Sequence, residues 1–390
     1  MPNIQTDTFS PIDLPKSSDG FIFESYAISP RGEKLVLTHY GEKSFLLQIL
    51  KRPHNVLIKT EKLTRISPVT ILQKALQTFA SLHDLDLTYA NIYPQKITIT
   101  KDEDFTILKD INYFLNHLTY DKKILVEVGF GSGRHLLYQA KQNPSKLIIG
   151  LEIHKPSIEQ VIKQCKLQNI NNILIADFDA RIFLQLLKSN SVEKIFVHFP
   201  VPWDKKPHRR VISDAFVEES LRVLEKDGTL ELRTDSENYF SYAWDTFNHL
   251  NKYDLHIRKN YDLPISSKYE DRWKRAEKNI YDLILKNEIQ SQEKESFDEI
   301  NFKENISFEE VKKRFKNITL KGDDHFVHLE DIYTIDDKNG LIKLSLGAYE
   351  KPEHKFLLFK ENKIQYFPSG LLPLTQNVKS HKIIKEFLHV

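Results

Sequence analysis

The chain has one cysteine, Cys165, among 390 residues, and Met1 is its only methionine. A lone thiol excludes an internal disulfide and a cysteine-rich zinc site, and no metal site is expected; its place in a helical stretch points to packing rather than redox work. Long apolar runs are absent, and the opening Met1-Pro-Asn-Ile-Gln-Thr-Asp carries no basic-apolar leader. The expectation is a soluble, cytoplasmic protein with no membrane association. A dominant charge is lacking too. A formal net charge of +2 and a pI near 8.2 neither demand nor forbid a nucleic-acid partner, so any such binding must come from a local patch. Hydrophobic residues make up 40% of the chain, enough to bury more than one core in two or three domains. Nothing in the composition points to an obligate protein partner.

Glycine is sparse, at 12 residues, yet three stand at alternate positions in Val126-Glu-Val-Gly-Phe-Gly-Ser-Gly133. This stretch ends one apolar run and precedes a second, Leu147 to Leu151, that closes on Glu152. A strand, a glycine turn and a helix start read as the first βα turn of a nucleotide-type site. Gly129, Gly131 and Gly133 let the backbone approach a ligand, and the free N–H groups of the next helix can face a carboxylate or phosphate. Glu152, at the tip of the next strand, can take both hydroxyls of a ribose. A dinucleotide fingerprint would place its third glycine at position 134, where this chain has Arg134. What remains resembles the S-adenosylmethionine loop of Rossmann-like methyltransferases, which hold no pyrophosphate.

From Ile124 to about Leu285 apolar strands alternate with amphipathic helices, the pattern of a doubly wound α/β sheet. Strands are expected at 124–128, 147–151, 173–176, 194–199 and 228–233, and near 253–258 and 280–285; helices near 133–142, 156–168, 213–224 and 238–250. Residues 21–66 hold short β-rich runs, Thr70 to Leu82 reads as a helix, and a charged segment runs from Glu288 to Glu304. Beyond it Tyr333-Thr-Ile-Asp and Phe356-Leu-Leu358 answer Tyr26-Ala-Ile-Ser and Phe45-Leu-Leu47, which suggests a diverged duplication at the two ends. The expected division is an α+β domain over 1–118, a cofactor domain over 119–290 and a second α+β domain over 291–390.

Strand Lys194 to Phe199 leads into Pro200-Val-Pro-Trp-Asp-Lys-Lys-Pro-His-Arg-Arg210. The loop at the carboxyl end of such a strand faces the ligand crevice. Its prolines restrict the backbone and fix how Trp203 and Lys205 are presented. An aromatic ring among basic residues suits RNA, since the ring can stack while Lys205, Arg209 and Arg210 neutralise phosphates.

Six ordered motifs in this region resemble the bacterial tRNA (guanine-N7-)-methyltransferases. They are the Glu127 to Gly133 loop, Gly150-Leu-Glu-Ile-His154, Asp179-Ala180, Phe199-Pro-Val-Pro-Trp-Asp-Lys205 with His208-Arg-Arg210, Arg233-Thr-Asp-Ser-Glu-Asn-Tyr239, and Ser267-Lys-Tyr-Glu270. The resemblance covers roughly Ile124 to Leu285 and leaves the ends aside. It implies a seven-stranded Rossmann-like methyltransferase sheet, S-adenosylmethionine as cofactor and tRNA as partner. It also implies that Glu127 and the glycine loop hold the methionine end, Glu152 the ribose, and Asp179 with Ala180 the adenine. Lys205, Asp235 and the segment Ser267, Lys268 to Glu270 match positions that contact substrate. One departure stands out: the family usually has Asp within an Asp-Pro-Trp triplet, and this chain has Val201.

Valine can neither accept a proton nor orient a guanine, so Asp204 and Asp235 are the candidates for that work, Asp235 first. Guanine N7 carries a lone pair and no proton, so alignment matters more than a strong base. Two other functions are weighed: methylation of an adenine amino group, disfavoured because His198-Phe199 precedes Pro200 where those enzymes place Asn or Asp, and an RNA-binding scaffold that has lost catalysis.

Overall fold

The computed structural model describes residues 2–66, 68–92, 107–116, 122–265, 270, 276–293 and 300–389. The chain divides into two compact units, residues 1–99 with 296–390 and residues 100–295. The N-terminal run supplies β1 (Asn3–Thr6), β2 (Lys16–Ser18), β3 (Phe21–Ile28), β4 (Lys34–Tyr40), β5 (Lys43–Lys51), β6 (Val56–Thr60), α1 (Val69–Leu82) and β7 (Leu87–Asn91). Helix α1 turns Ile71, Leu72, Ala75, Leu76 and Phe79 onto Phe21, Phe23, Phe45 and Leu47 of the sheet, an apolar stripe at helical spacing meeting alternate strand residues.

The central unit follows. It holds β8 (Leu108–Lys109), α2 (Ile111–Asn116), β9 (Ile124–Val128), α3 (Arg134–Gln142), β10 (Leu147–Leu151), α4 (Lys155–Gln168), β11 (Ile173–Ala176), α5 (Ala180–Leu186), β12 (Val192–His198), α6 (Asp214–Val223), β13 (Leu224–Thr234), α7 (Glu237–Asn248), β14 (Asp254–Lys259) and β15 (Tyr281–Lys286). Among the described residues these strands lie in the order β14-β15-β13-β12-β9-β10-β11-β8. Strands β8 to β13 run parallel, while β15 is antiparallel to both β13 and β14. The chain winds outward from β9 through β10 and β11, then returns to place β12 on the other side of β9. That reversal opens a crevice at the carboxyl ends of β9 and β12, the topological switch point where α/β sheets bind ligands. Helices α3 and α4 pack Leu136, Leu137, Ile158 and Val161 on one face, and α5, α6 and α7 pack Phe183, Phe216, Val217, Tyr239 and Phe247 on the other. All seven expected strands are present. The eighth, β8, is two residues long and has no alternating pattern of its own. Helix α5 has no counterpart among the expected helices, because its seven residues fall just short of two turns.

The C-terminal run has a short helix, Phe308–Arg314, then β16 (Ile318–Lys321), β17 (His325–Thr334), β18 (Gly340–Ala348), β19 (Glu353–Lys360), β20 (Lys363–Phe367) and a closing helix, Thr375–His389. The two end segments, drawn as separate domains from the sequence, share one sheet of twelve strands among the described residues. They join where Ile28 of β3 pairs with Thr334 of β17. Their order and pairing repeat, β2 to β6 followed by α1 answering β16 to β20 followed by the closing helix. The ladder is irregular at Glu24 in β3 and at Glu330 in β17. One spacing separates Glu24 from Glu330, Ile28 from Thr334 and Val69 from Thr375. By that register Tyr26 answers Ile332 rather than Tyr333, one residue off the match that the sequence suggests, and a one-residue slip reverses which face a side chain meets. Between the halves, Ala27, Leu35, Leu37 and Leu46 pack with Tyr333, Leu341, Phe356 and Leu358.

Candidate active site

The glycine loop leaves β9 with Gly129, Gly131 and Gly133 all at positive φ, 69°, 51° and 73°. A Cβ on Gly129 would meet nothing within 4 Å, and one on Gly131 only the Gly129 carbonyl oxygen at 4.0 Å, so both backbones face open space where a ligand can approach. Gly133 serves packing instead. A Cβ there would stand 2.1 Å from Val161 Cγ2 of α4.

Glu152, at the tip of β10, is tied to this loop. Its Oε2 accepts from the Gly131 N–H at 3.0 Å, and its Oε1 from the N–H groups of Ile153 at 2.8 Å and His154 at 3.0 Å. A carboxylate has about four acceptor positions, so roughly one remains for a ribose hydroxyl rather than the two expected from sequence. Asp179 caps α5, its Oδ1 accepting from the Arg181 N–H at 3.0 Å, and its two oxygens also hold the Arg181 guanidinium at 3.0 and 2.7 Å. Ala180 is buried at the first turn of that helix.

Glu127 accepts from His135 Nδ1 of α3 at 2.9 Å, both side chains being buried. The His135 ring lies 4.4 Å from the ring of His198. Burial works against a charged His135, yet the Glu127 carboxylate outweighs it and raises its pKa. His198 is pushed well below the usual histidine range by burial first, then by His135 and Arg233. These two histidines were not singled out from sequence, where no pattern distinguishes them from core residues. A cavity of about 310 Å³ opens beside them, with Gln139, Lys194, Phe196 and Glu231 in its walls. It lies along the sheet face, and none of the glycine-loop residues lines it.

After β12 the backbone is strained at two non-glycine residues, Phe199 with φ 51° and Trp203 with φ 45°. Phe199 is held by its N–H to the Arg233 carbonyl at 2.7 Å. Trp203 is 37% exposed and Val201 60% exposed. The Arg209 guanidinium stands 5.1 Å from the Trp203 ring, and Lys205 is exposed beside it. Arg210 departs from the expected phosphate role. It is 7% exposed, donates Nε–H to the Pro202 carbonyl at 2.7 Å, pairs with Asp204 at 3.4 Å, and lies over Tyr242 at 4.4 Å and Tyr239 at 5.3 Å. It braces the loop from beneath.

Asp235 follows β13 directly and is half-buried, its Oδ2 accepting from Lys278 Nζ at 3.1 Å. Its Oδ1 has no protein partner among the described residues. Ser267 and Lys268 lie outside the described residues. Glu270 is buried against Arg233, which is 1% exposed and donates to Glu270 at 2.9 Å, to Asp282 at 2.6 and 2.7 Å and to the Tyr261 carbonyl at 2.8 Å. Burial raises the Asp282 pKa even against the attraction of Arg233. Thus Glu127, the glycine loop, Glu152 and Asp179 gather at the ends of β9, β10 and β11, while Trp203, Lys205, Arg209 and Asp235 gather at the ends of β12 and β13.

A switch-point crevice with an open glycine loop, an acid at the tip of the second strand and a strained basic-aromatic loop after the fourth defines a Rossmann-like methyltransferase domain. The model of a family described as "Putative methyltransferase" matches residues 121–283. A Wolinella succinogenes tRNA (guanine-N(7)-)-methyltransferase is 41% identical over 100% of both chains, and one from Campylobacter jejuni is 44% identical over 100% of this chain and 99% of its own. A Helicobacter hepaticus relative of the same name is 34% identical over 98% of this chain and 97% of its own. The chain belongs to the tRNA (guanine-N(7)-)-methyltransferase family, and the likeness extends through both end segments.

Proposed function

We propose that the chain transfers a methyl group from S-adenosylmethionine to N7 of a guanine in tRNA. The observation that carries this is the union, on one sheet edge, of a glycine loop open to a ligand at Gly129 and Gly131 with a strained loop that presents Trp203 and Lys205. The residues fit the cofactor. Glu152 is fixed by three backbone N–H groups with an acceptor position left for a ribose hydroxyl, Ala180 and the Asp179 cap border the adenine side, and the open backbone at Gly129 and Gly131 borders the methionine end, with the neighbouring Glu127 bonded to His135. When bound, the cofactor supplies a sulfonium-activated methyl.

Held there, its methyl carbon would be open to the guanine N7 lone pair, with the C–S electron pair returning to sulfur and the positive charge passing to the ring. No proton leaves N7, so a valine at position 201 does not block the chemistry. Asp235 Oδ1, without a protein partner among the described residues, can accept from the guanine N1–H or amino group, and the carboxylate charge offsets the growing ring charge. Lys205 and Arg209 neutralise phosphate, and the Trp203 ring offers a stacking face. This reading places the protein in the cytoplasm with tRNA. The repeated order and register of the end segments support their reading as a diverged duplication.

The test is single-turnover transfer of labelled methyl to unmodified tRNA. Asp235→Asn is expected to lose most of kcat while keeping cofactor affinity, and Val201→Asp to change little. Full activity in Asp235→Asn would remove it from the role; an inactive wild type rescued by Val201→Asp would favour the scaffold reading.

A further inference from the structure

We infer that the tip of β14, where Arg258 and Tyr261 stack beside Lys259, is a second RNA-binding platform that grips the sugar-phosphate chain and a stacked base of the tRNA near the target guanosine. This rests on the methyl-transfer reading above and extends its substrate surface. Strand β14 is parallel to β13 through their common antiparallel partner β15, so its carboxyl end lies on the same edge of the sheet as Asp235 and the Trp203 loop. Three strand-to-strand steps separate β14 from β12, on the order of 14 Å.

Both flanks of Asp235 carry one arrangement, an exposed ring with a guanidinium over it. On one side Arg209 lies 5.1 Å from Trp203, and on the other Arg258 lies 4.6 Å from Tyr261. Tyr261 is 50% exposed, and Lys259 is exposed next to it. The Tyr261 backbone is fixed. Its carbonyl accepts from the buried Arg233 at 2.8 Å, while the preceding Asn260 is bonded to Ile280 through both backbone and side chain, at 2.7 and 2.8 Å. A ring on a rigid support loses little conformational entropy when a base stacks on it.

A plainer role exists for charges on β14, since among the described residues it is the edge strand of its sheet, and edge lysines and arginines discourage strand pairing between molecules. That role does not call for an exposed ring with a guanidinium stacked on it, nor for the exposed Ile257 of the same strand. Ring, cations and rigid backbone together suit a single-stranded or splayed stretch of RNA.

The experiment uses the full chain and an unmodified tRNA transcript, titrated over a range of salt. Lys259→Ala is expected to reduce the slope of log affinity against log salt by roughly 0.7–0.9, one phosphate contact. Tyr261→Ala is expected to weaken tRNA binding at least about fivefold, the low end for one base stack, and Tyr261→Phe to restore it. Arg258 is left in place because it faces Asp282 across the β14–β15 pair. Cofactor affinity and thermal unfolding, measured on the same variants, are expected to match wild type. An active wild type whose Lys259→Ala and Tyr261→Ala variants keep affinity and slope would overturn the platform alone. A wild type that neither binds nor methylates tRNA would overturn the platform together with the reading beneath it.

Discussion

Arg209 and Arg210 are adjacent in sequence and opposite in structure, and replacing each by alanine separates the two roles. The Arg209 guanidinium projects with the exposed Trp203 ring, so Arg209→Ala should leave stability within about 0.5 kcal/mol of wild type. It should flatten the salt dependence of tRNA binding by roughly 0.7–0.9 in the log–log slope. Arg210 is buried, and its loss strips the Pro202 carbonyl of a charged donor at 2.7 Å and removes a cation from the faces of Tyr239 and Tyr242. A charged hydrogen bond contributes about 1.5–3 kcal/mol and a desolvated cation–π contact up to about 2 kcal/mol, so with incomplete additivity Arg210→Ala should cost about 2–4 kcal/mol. Denaturant unfolding gives the stability, and filter binding of tRNA at several salt concentrations gives the slope. With the brace gone, methyl transfer should fall even where the slope is retained. Equal stability and equal slope changes in the two variants would refute the reasoning and return Arg210 to the phosphate surface.

Two further outcomes follow from the glycine loop and the buried histidines. Gly133→Ala should destabilise by about 2–5 kcal/mol, combining about 1–2 for a left-handed Cβ with about 1–3 for overpacking against Val161; Gly129→Ala, with open space around it, should cost only the backbone share while weakening cofactor binding, and calorimetry with urea unfolding distinguishes them. His198 is neutral when folded and titrates near about 6.5 when unfolded, so stability should fall on acidification below about pH 6.5 by up to about 1.4 kcal/mol per unit; the raised pKa of His135 acts oppositely, adding stability that is full below about pH 6.5 and lost as pH rises through its folded value. Unfolding curves for His198→Phe should show a flatter acid limb, and an unchanged limb would mean that another group carries the acid sensitivity.

The parallel sheet was legible because its strands are short apolar runs closed by turn residues and its helices carry apolar stripes at helical spacing. The glycine loop and the acid at 152 were legible for the same reason: their chemistry is local, set by residues within one βα turn. The end segments were less so. Their repeat showed in residue order, yet the match at Tyr26 and Tyr333 slipped by one position, because a shared tyrosine marks residue type only, while the strand pairings, irregular at the equivalent Glu24 and Glu330, fix the register in the folded sheet.

By itself the sequence determined which residues are chemically able to act: three glycines for close approach, Glu152 and Asp235 at strand ends, and a proline-restrained basic loop. Only the tertiary structure decided which of them remain free to act. Arg210 and Glu270 read as substrate contacts, but burial leaves a charge no choice except pairing, and they are spent on Pro202, Asp204 and Arg233. Glu127 is turned toward His135, a partner on another element that no local pattern announces. Arg258, on a late strand, and Tyr261, just past its end, carry no local signal; the antiparallel β15 returns the chain and sets them on the edge that holds Asp235. Exposure and partnership are set by long-range packing, so they become readable only once the strands are in order.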